Sequence, residues 1–525
     1  MVNGNLNTRN ERSIELILEK SKYLYNKKKF QDIIHLLKDA ISNGHSDHRI
    51  LSGLAVAYEN TNNNDLAINY YTKALDEKAD YIPALQYRGI VYLKEEEYFL
   101  AIEDFKKIYD IDPNFYEGIN NLALCYKETD QIQKSIAIFE EILERFPDKT
   151  TSIVNYAFLL SEIGDFQKAK EMHFLAIKRD KNSLSFQQLC EMGEIKYNDA
   201  IVEEMLQFLS DNSTFNREII DKVNICFGIG AIFYNVGSYE ESAKYYNLGN
   251  KFKRSEMDWS QSQYENKVNI QGSYQNIYEK IKIKNDRKIV FIVGLPRSGT
   301  TLLEQMLDRH DKISGLGERN FIAIGVNEFN KNKSNTYNID RDSKIISATN
   351  ELADISQSIE KKYIDIANQN NDNVIVDKNP YNFQHVGFIK SILPNSKIIN
   401  INRNKNDVLT SIYFSSFTGL HNYAYDQKEL NAYYYFYLKT MNFWKEKFQE
   451  EVFEINYEDL VNNPENQLKL IFEFIEMKYD KKCLNPDKNK RIIKTRSKFQ
   501  IREGINNKGV NKYKGFENYL SDLYQ

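Results

Sequence analysis

At 525 residues the chain is too long for one hydrophobic core and reads as two or more domains, with an ordinary globular balance of 42% hydrophobic and 27% charged residues that excludes wholesale disorder. A formal net charge of −4 excludes a dedicated nucleic-acid binder while leaving local basic clusters for a phosphorylated small molecule. The four scattered cysteines form no C-x-x-C pair, the seven histidines no H-E-x-x-H, the opening MVNGNLNTRNERS no signal-peptide core, and no apolar run a membrane span, so a metal-free, soluble, cytoplasmic protein without a membrane span is expected.

The first half repeats. Segments beginning at Ile14, His48, Ile82, Tyr116 and Thr150 are spaced by 34 residues. Their eighth position holds Ser21, Ala55, Gly89, Ala123 and Ala157, and their twentieth Ile33, Ala67, Ala101, Ser135 and Ala169. Larger residues recur at the twenty-fourth, as Leu37, Tyr71, Phe105, Phe139 and His173. Pro113 and Pro147 fall past the second helix of their units, where a missing N–H costs little. This alternation of small, large and proline positions resembles the tetratricopeptide repeat, a helix–turn–helix unit that buries its apolar face only by stacking on neighbours. A degenerate sixth unit is laid from Val223, with Gly237, Ser242 and Tyr246 on pattern, and Leu184–Lys222 reads as amphipathic helix with polar breaks.

From Lys288 the texture changes. Lys288–Val293 is a short apolar, β-rich run, followed by Gly294-Leu295-Pro296-Arg297-Ser298-Gly299-Thr300-Thr301 and then helical spacing over Leu302–His310. Strand, glycine-bearing loop and helix form the arrangement in which backbone N–H groups meet an anion. The loop misses the lysine of a nucleoside-triphosphate loop, since Thr300 stands in its place, and Arg297 supplies a cation elsewhere. Further strands are expected at Asn373–Val376, Ser396–Asn402 and Val452–Ile455, with helices after Pro380, over Asp407–Phe417 and from Pro464. Alternating β and α runs predict a parallel sheet, with the glycine loop, Lys378 and Arg403 at its carboxyl edge.

VGLPRSGTTLLEQMLDRH with SGLGE resembles the 5′-phosphosulfate loop of sulfotransferases, in the branch that includes tyrosylprotein sulfotransferases. INRNKNDVLTSIYFSSF is similar to that family's 3′-phosphate segment, with arginine and serine eight apart, and INYEDLVNNPENQLKLIFEFI and TRSKFQIREG with NKYKGFENYL resemble its later segments. The resemblance implies an α plus α/β multidomain chain. Five tetratricopeptide repeats would occupy residues 14–183 as a helical superhelix. Further helices and a linker, with the sixth repeat at 223–250, would fill 184–286, and a three-layer α/β, P-loop-like sulfotransferase domain 287–525. It also implies 3′-phosphoadenosine 5′-phosphosulfate (PAPS) as co-substrate, without a metal. Arg297, Ser298, Gly299, Thr300 and Thr301 would hold the 5′-phosphosulfate and Arg403 and Ser411 the 3′-phosphate, while Lys512 touches the donor phosphates. Glu318 takes the family's general-base position, Lys378 would stabilise the bridging oxygen with Ser497 assisting, and Arg502 is a weaker candidate.

The acceptor implied is a hydroxyl of a protein tyrosine, a sugar or a metabolite, with the repeat groove available to a protein or peptide. Lys405 stands where the family often has proline, and Val326–Lys344, rich in Asn, Lys and Ser, reads as an inserted loop near the acceptor. Tyr433–Trp444 is either a buried helix face or an acceptor-side wall. Two rivals stand beside the transferase: a P-loop kinase or nucleotidase, and a non-catalytic scaffold.

Overall fold

The computed structural model describes residues 2–45, 47–210, 219–257, 260, 288–333, 341–367, 374–417, 419, 421–489, 491–495 and 498–525. The chain divides into two compact units, Met1–Tyr156 and Ala157–Gln525. Helices of the first unit are α1 (Val2–Asn26), α2 (Phe30–Ser42), α3 (His48–Asn60), α4 (Asn64–Glu77), α5 (Ile82–Lys94), α6 (Tyr98–Ile111), α7 (Tyr116–Glu128) and α8 (Ile132–Arg145). The division falls inside α9 (Thr150–Ile163), and α10 (Phe166–Asp180), α11 (Ser183–Glu191), α12 (Ala200–Ser210), α13 (Ile219–Asn235) and α14 (Tyr239–Ser255) follow.

The 34-residue period has a direct physical basis. In the third unit the eighth-position residue must be small because the twenty-fourth-position ring lies against it: a Cβ on Gly89 would sit 2.7 Å from Phe105 Cζ. Leu37, Tyr71, Phe105, Phe139 and His173 are all fully buried at that twenty-fourth position. Between paired helices the fifteenth residue takes positive φ, at Lys28, Asn62, Glu96, Asp130 and Gly164. The same geometry recurs in α13–α14. Gly237 has positive φ, Ser242 Oγ donates to the Gly230 carbonyl at 2.9 Å as Ser135 Oγ donates to that of Ala123 at 2.7 Å, and a Cβ on Gly230 would meet the Tyr246 ring at 3.1 Å.

The α/β domain is built on a five-stranded parallel sheet in the order β2-β3-β1-β4-β5, with β1 Ile289–Gly294, β2 Ile313–Gly315, β3 Val374–Asp377, β4 Lys397–Asn402 and β5 Val452–Asn456. Strand alternation sends Ile289, Phe291, Val293 and Ile398 into one core, and Val290, Ile292, Ile399 and Ile401 into another on the opposite face. Helices α15 (Thr300–Leu307), α16 (Phe321–Lys333), α17 (Arg341–Ala367), α18 (Val386–Ile392), α19 (Lys405–Tyr413), α20 (Gln427–Lys447), α21 (Tyr457–Asn462) and α22 (Pro464–Phe474) connect and cover the sheet. The first core also takes in Val223, Phe227, Ala243 and Tyr246, so α13 and α14 share the hydrophobic interior of the α/β domain.

Two expectations are resolved by burial. Val326–Lys344, read as a loop, is helix where described: Val326–Lys333 because Ile322, Val326 and Phe329 form one buried stripe that outweighs the polar composition, and residues 341–344 as the start of a helix to Ala367; residues 334–340 lie outside the described ones. Tyr433, Tyr437, Met441 and Trp444 form the buried face of α20, and the Tyr437 hydroxyl donates to Asn400 Oδ1 at 2.7 Å. Among the described residues no helix is long and apolar enough to cross a membrane. Replacing Gly89 by leucine should cost about 1–3 kcal/mol through overpacking against Phe105. A urea titration followed by circular dichroism should show a lower midpoint, and an unchanged midpoint would contradict this packing.

Candidate functional site at the carboxyl edge of the sheet

The strand order puts a switch point at β1 and β4, whose following connections leave in opposite directions, and this is where open α/β sheets form a crevice. The loop after β1 is shaped by close approaches. A Cβ on Gly294 would lie 2.7 Å from the Ile401 carbonyl oxygen, and one on Gly299, at φ 106°, would lie 2.5 Å from Tyr457 Cδ2. Arg297 adopts φ 70° between them. Gly299 caps α15 without a side chain, which leaves the first amides of that helix open toward an anion. Ser298, Thr300 and Thr301 are buried around this turn, and Thr301 Oγ1 lies 3.3 Å from Thr495 Oγ1.

Arg403 enters the crevice from the end of β4. Its Nη1 donates to the Arg297 carbonyl at 2.6 Å, its Nη2 donates to the Gly509 carbonyl, and its guanidinium lies 4.9 Å from the Tyr457 ring centroid. Burial pushes the guanidinium below its ordinary value. Arg297 Nε in turn donates to Ser411 Oγ at 3.2 Å, and its Nη2 to Gln500 Oε1 at 3.1 Å. A cavity of about 590 Å³ opens here, lined by Arg297, Gly299, Arg403, Ser411, Tyr457 and Lys512, among others. Ser298 Oγ and Arg403 Nε are buried beside it without a hydrogen-bond partner among the described residues.

Lys512 faces that cavity because Asp407, buried in the first turn of α19, accepts from the backbone N–H groups on either side of it: Asn511 at 2.8 Å and Tyr513 at 3.1 Å. Burial, with Arg297 and Arg403 adding like charge, pushes the ammonium down to about 7. Asp407, Tyr457 and Gly509 were not singled out as site residues by the sequence reading. Asp407 carried one local signal, an Asn404 cap three residues earlier that marks the helix start, whereas Gly509 acts through its carbonyl and leaves no side-chain trace.

On the other side of β1, at the ends of β2 and β3, Lys378 Nζ donates to Glu318 Oε1 at 2.5 Å, the lysine fully buried and the carboxylate half exposed. Beyond this pair the Tyr381 hydroxyl contacts His421 Nδ1 and, at 2.7 Å, the Tyr423 hydroxyl. Burial drops His421 to about 4 and keeps it neutral at pH 7. The two charged clusters thus straddle β1. From β2 to β4 is three strand spacings, about 14 Å, on the scale of a nucleotide. Ser497 lies outside the described residues. Arg502 donates to the carbonyls of Asn489 and Arg491 and does not line the cavity.

The turn bearing Glu318 is held from below. Glu304, on the buried side of α15, accepts from the Gly317 N–H at 2.6 Å and from Arg491 Nη2 at 2.5 Å. Glu304 therefore ties helix α15 to the Glu318 turn. Glu304→Ala removes the shorter of two carboxylate contacts from a largely buried guanidinium, leaving Asp308 at 3.5 Å, and should cost about 2 kcal/mol. Chemical denaturation should show that loss, and a change below about 0.5 kcal/mol would contradict the buttress.

Comparison with known proteins gives three matches along the chain. Residues 290–481 match the Sulfotransferase family, and residues 48–81 and 121–149 match tetratricopeptide repeats. An uncharacterised protein of Aquifex aeolicus (strain VF5) is 26% identical over 377 residues, covering 70% of this chain and 49% of the relative. Protein-tyrosine sulfotransferase A of Caenorhabditis elegans is 26% identical over 202 residues, covering 37% of this chain and 52% of that protein. The chain thus spans about half the length of these two relatives. Among solved structures, the sulfotransferase domain of the Synechococcus PCC 7002 olefin synthase aligns with 18% identity and a TM-score of 0.32, covering 44% of this chain and 89% of that one. The chain joins tetratricopeptide repeats to a domain similar to the sulfotransferase family.

Proposed function

We propose that the α/β domain transfers a sulfuryl group from PAPS to a hydroxyl acceptor. The observation that carries this reading is the meeting of two distant segments in one crevice: Arg297, from the loop after β1, touches both Ser411 and Arg403 from the segment after β4. A site for a nucleotide phosphorylated at its 3′ and 5′ positions needs two neighbouring anion-binding groups, since both phosphates sit on one ribose, and a guanidinium beside a serine hydroxyl suits a phosphate. The unpaired Ser298 Oγ and Arg403 Nε are donors without acceptors, which fits an anionic occupant. Thr300 in place of a triphosphate-binding lysine disfavours the kinase rival.

In this reading the amides at Gly299–Thr301, the hydroxyls of Ser298, Thr300 and Thr301 and the Arg297 side chain hold the 5′-phosphosulfate, the Ser298 amide being used on the Leu295 carbonyl at 3.1 Å. Arg403 and Ser411 hold the 3′-phosphate, with Lys512 adding positive charge. The donor, when bound, supplies an activated sulfur whose bond to the bridging oxygen breaks as the acceptor oxygen bonds to it. Glu318 takes the acceptor's proton, and Lys378 stabilises the negative charge that leaves with adenosine 3′,5′-bisphosphate. Both groups must first give up their mutual 2.5 Å contact, so substrates entering between them switch each from partner to reactant. Ser497 is assigned a supporting contact to the same oxygen. The acceptor is a hydroxyl of a protein tyrosine, a sugar or a metabolite, and the repeats favour a peptide.

Incubation with 35S-labelled donor and a panel of tyrosine peptides, sugars and cell extract should label an acceptor. Glu318→Gln should lower the rate at least about 100-fold. Transfer of phosphate from ATP without transfer of sulfate, or undiminished sulfate transfer by Glu318→Gln, would remove the reading.

Lys512 gives a pH signature. Its pKa in the protein alone is about 7, and a phosphate beside it raises that value, so above pH 7 the complex retains a proton that the free protein has lost. Affinity for adenosine 3′,5′-bisphosphate should therefore fall as pH rises from 7 to 9, by up to about tenfold per unit. Lys512→Arg, charged throughout, should flatten the profile. A wild-type affinity constant over that range would contradict the role.

A further inference from the structure

The cavity between Arg297 and Arg403 is closed by residues that precede the α/β domain. Glu191 at the end of α11, Ala231, Tyr234 and Asn235 on α13, and Tyr246 on α14 all line it. The sequence matched by the sulfotransferase family starts only at residue 290. The Tyr234 ring lies 5.3 Å from Lys512 Nζ, and it is backed by a parallel stack on Phe516 at 6.0 Å and an edge contact with Phe414 at 6.4 Å.

These helices are fastened to the site at its far end as well. Tyr246 stacks on Phe414 with centroids 4.0 Å apart, directly after the helix that bears Ser411. Asn250 Nδ2, fully buried, donates to the Tyr413 carbonyl at 3.0 Å, the Tyr413 hydroxyl donates to Asn247 Oδ1 at 2.8 Å, and Arg254 forms a two-pronged pair with Glu429 at 2.9 Å. A buried amide with a carbonyl partner and a stacked ring pair fix register as well as contact.

We propose that α11, α13 and α14 form part of the donor-nucleotide site, with Tyr234 a positioning residue that holds the Lys512 ammonium over the cavity. This rests on the PAPS reading above. The ring offers a negative face to an ammonium that is crowded by Arg297 and Arg403 and drawn by Glu191 and Asp407. Without that face the like charges push Lys512 away, and its contribution to phosphate binding falls. The helical region then has a second role besides any it plays as a repeat array. It completes a pocket that the α/β domain leaves open on one side.

The test is a double-mutant cycle in the full chain, read by isothermal titration with adenosine 3′,5′-bisphosphate. Tyr234→Leu should weaken binding about fivefold, the worth of one partly buried cation–ring contact, while Tyr234→Phe retains most of the affinity. In a Lys512→Met background Tyr234→Leu should have no further effect. Binding by the wild type with equal losses from Tyr234→Leu in both backgrounds, or with no loss in either, would overturn this inference while leaving the PAPS reading intact. No binding by the wild type would overturn both. Hydrogen exchange on the wild-type protein gives a readout independent of any variant: amides of 229–236 should slow when the bisphosphate is added, and unchanged exchange there would also overturn it.

Discussion

A single guanidinium ties the site together. Arg403, at the end of β4, donates to the carbonyl of Arg297, which sits at positive φ in the loop after β1, while a ring from α21 lies against its plane. The contact depends on β1 and β4 being neighbours in a parallel sheet, since only then do both strand ends open on the same edge. Gly294 and Gly299 are required for the same reason: side chains there would collide with the Ile401 carbonyl and the Tyr457 ring. Everything else in the pocket, from Ser411 to Lys512, is placed relative to this junction.

The two halves of the site have different electrostatic characters. Around Arg403, burial together with the like charges of Arg297 and Arg403 pushes Lys512 down, and Ser298 Oγ and Arg403 Nε stay without a hydrogen-bond partner among the described residues. Such an arrangement is costly in isolation and becomes favourable when an anion enters. Glu318 and Lys378 instead neutralise each other across the ends of β2 and β3. In the proposed reaction the first half binds the donor, and the second acts once its two partners are separated.

Much of this was legible in the residues. A 34-residue period is legible because small and large positions recur together, as Gly89 faces Phe105. Four of the five strands announce themselves as short apolar runs, whereas β2 is only Ile313-Ser314-Gly315 and carries too little pattern to be seen. The Val326 region misled through its asparagines and lysines, although Ile322, Val326 and Phe329 already had helical spacing. Tyr234 and Asp407 lay beyond sequence reading for another reason. They meet the segment around Lys512, which lies 278 and 105 positions away in the chain, and no local signal encodes such a meeting.

The claim that most depends on the Arg403–Arg297 junction is that the crevice recognises both phosphorylated ends of one nucleotide. Competitive titration of adenosine 3′,5′-bisphosphate against adenosine 5′-monophosphate, on the wild type and on Arg403→Ala, measures it directly. The expected result is an affinity at least about tenfold higher for the bisphosphate, as a charge-assisted fork to phosphate provides, with that advantage abolished by Arg403→Ala. Equal affinity of the wild type for the two nucleotides would contradict a two-ended site.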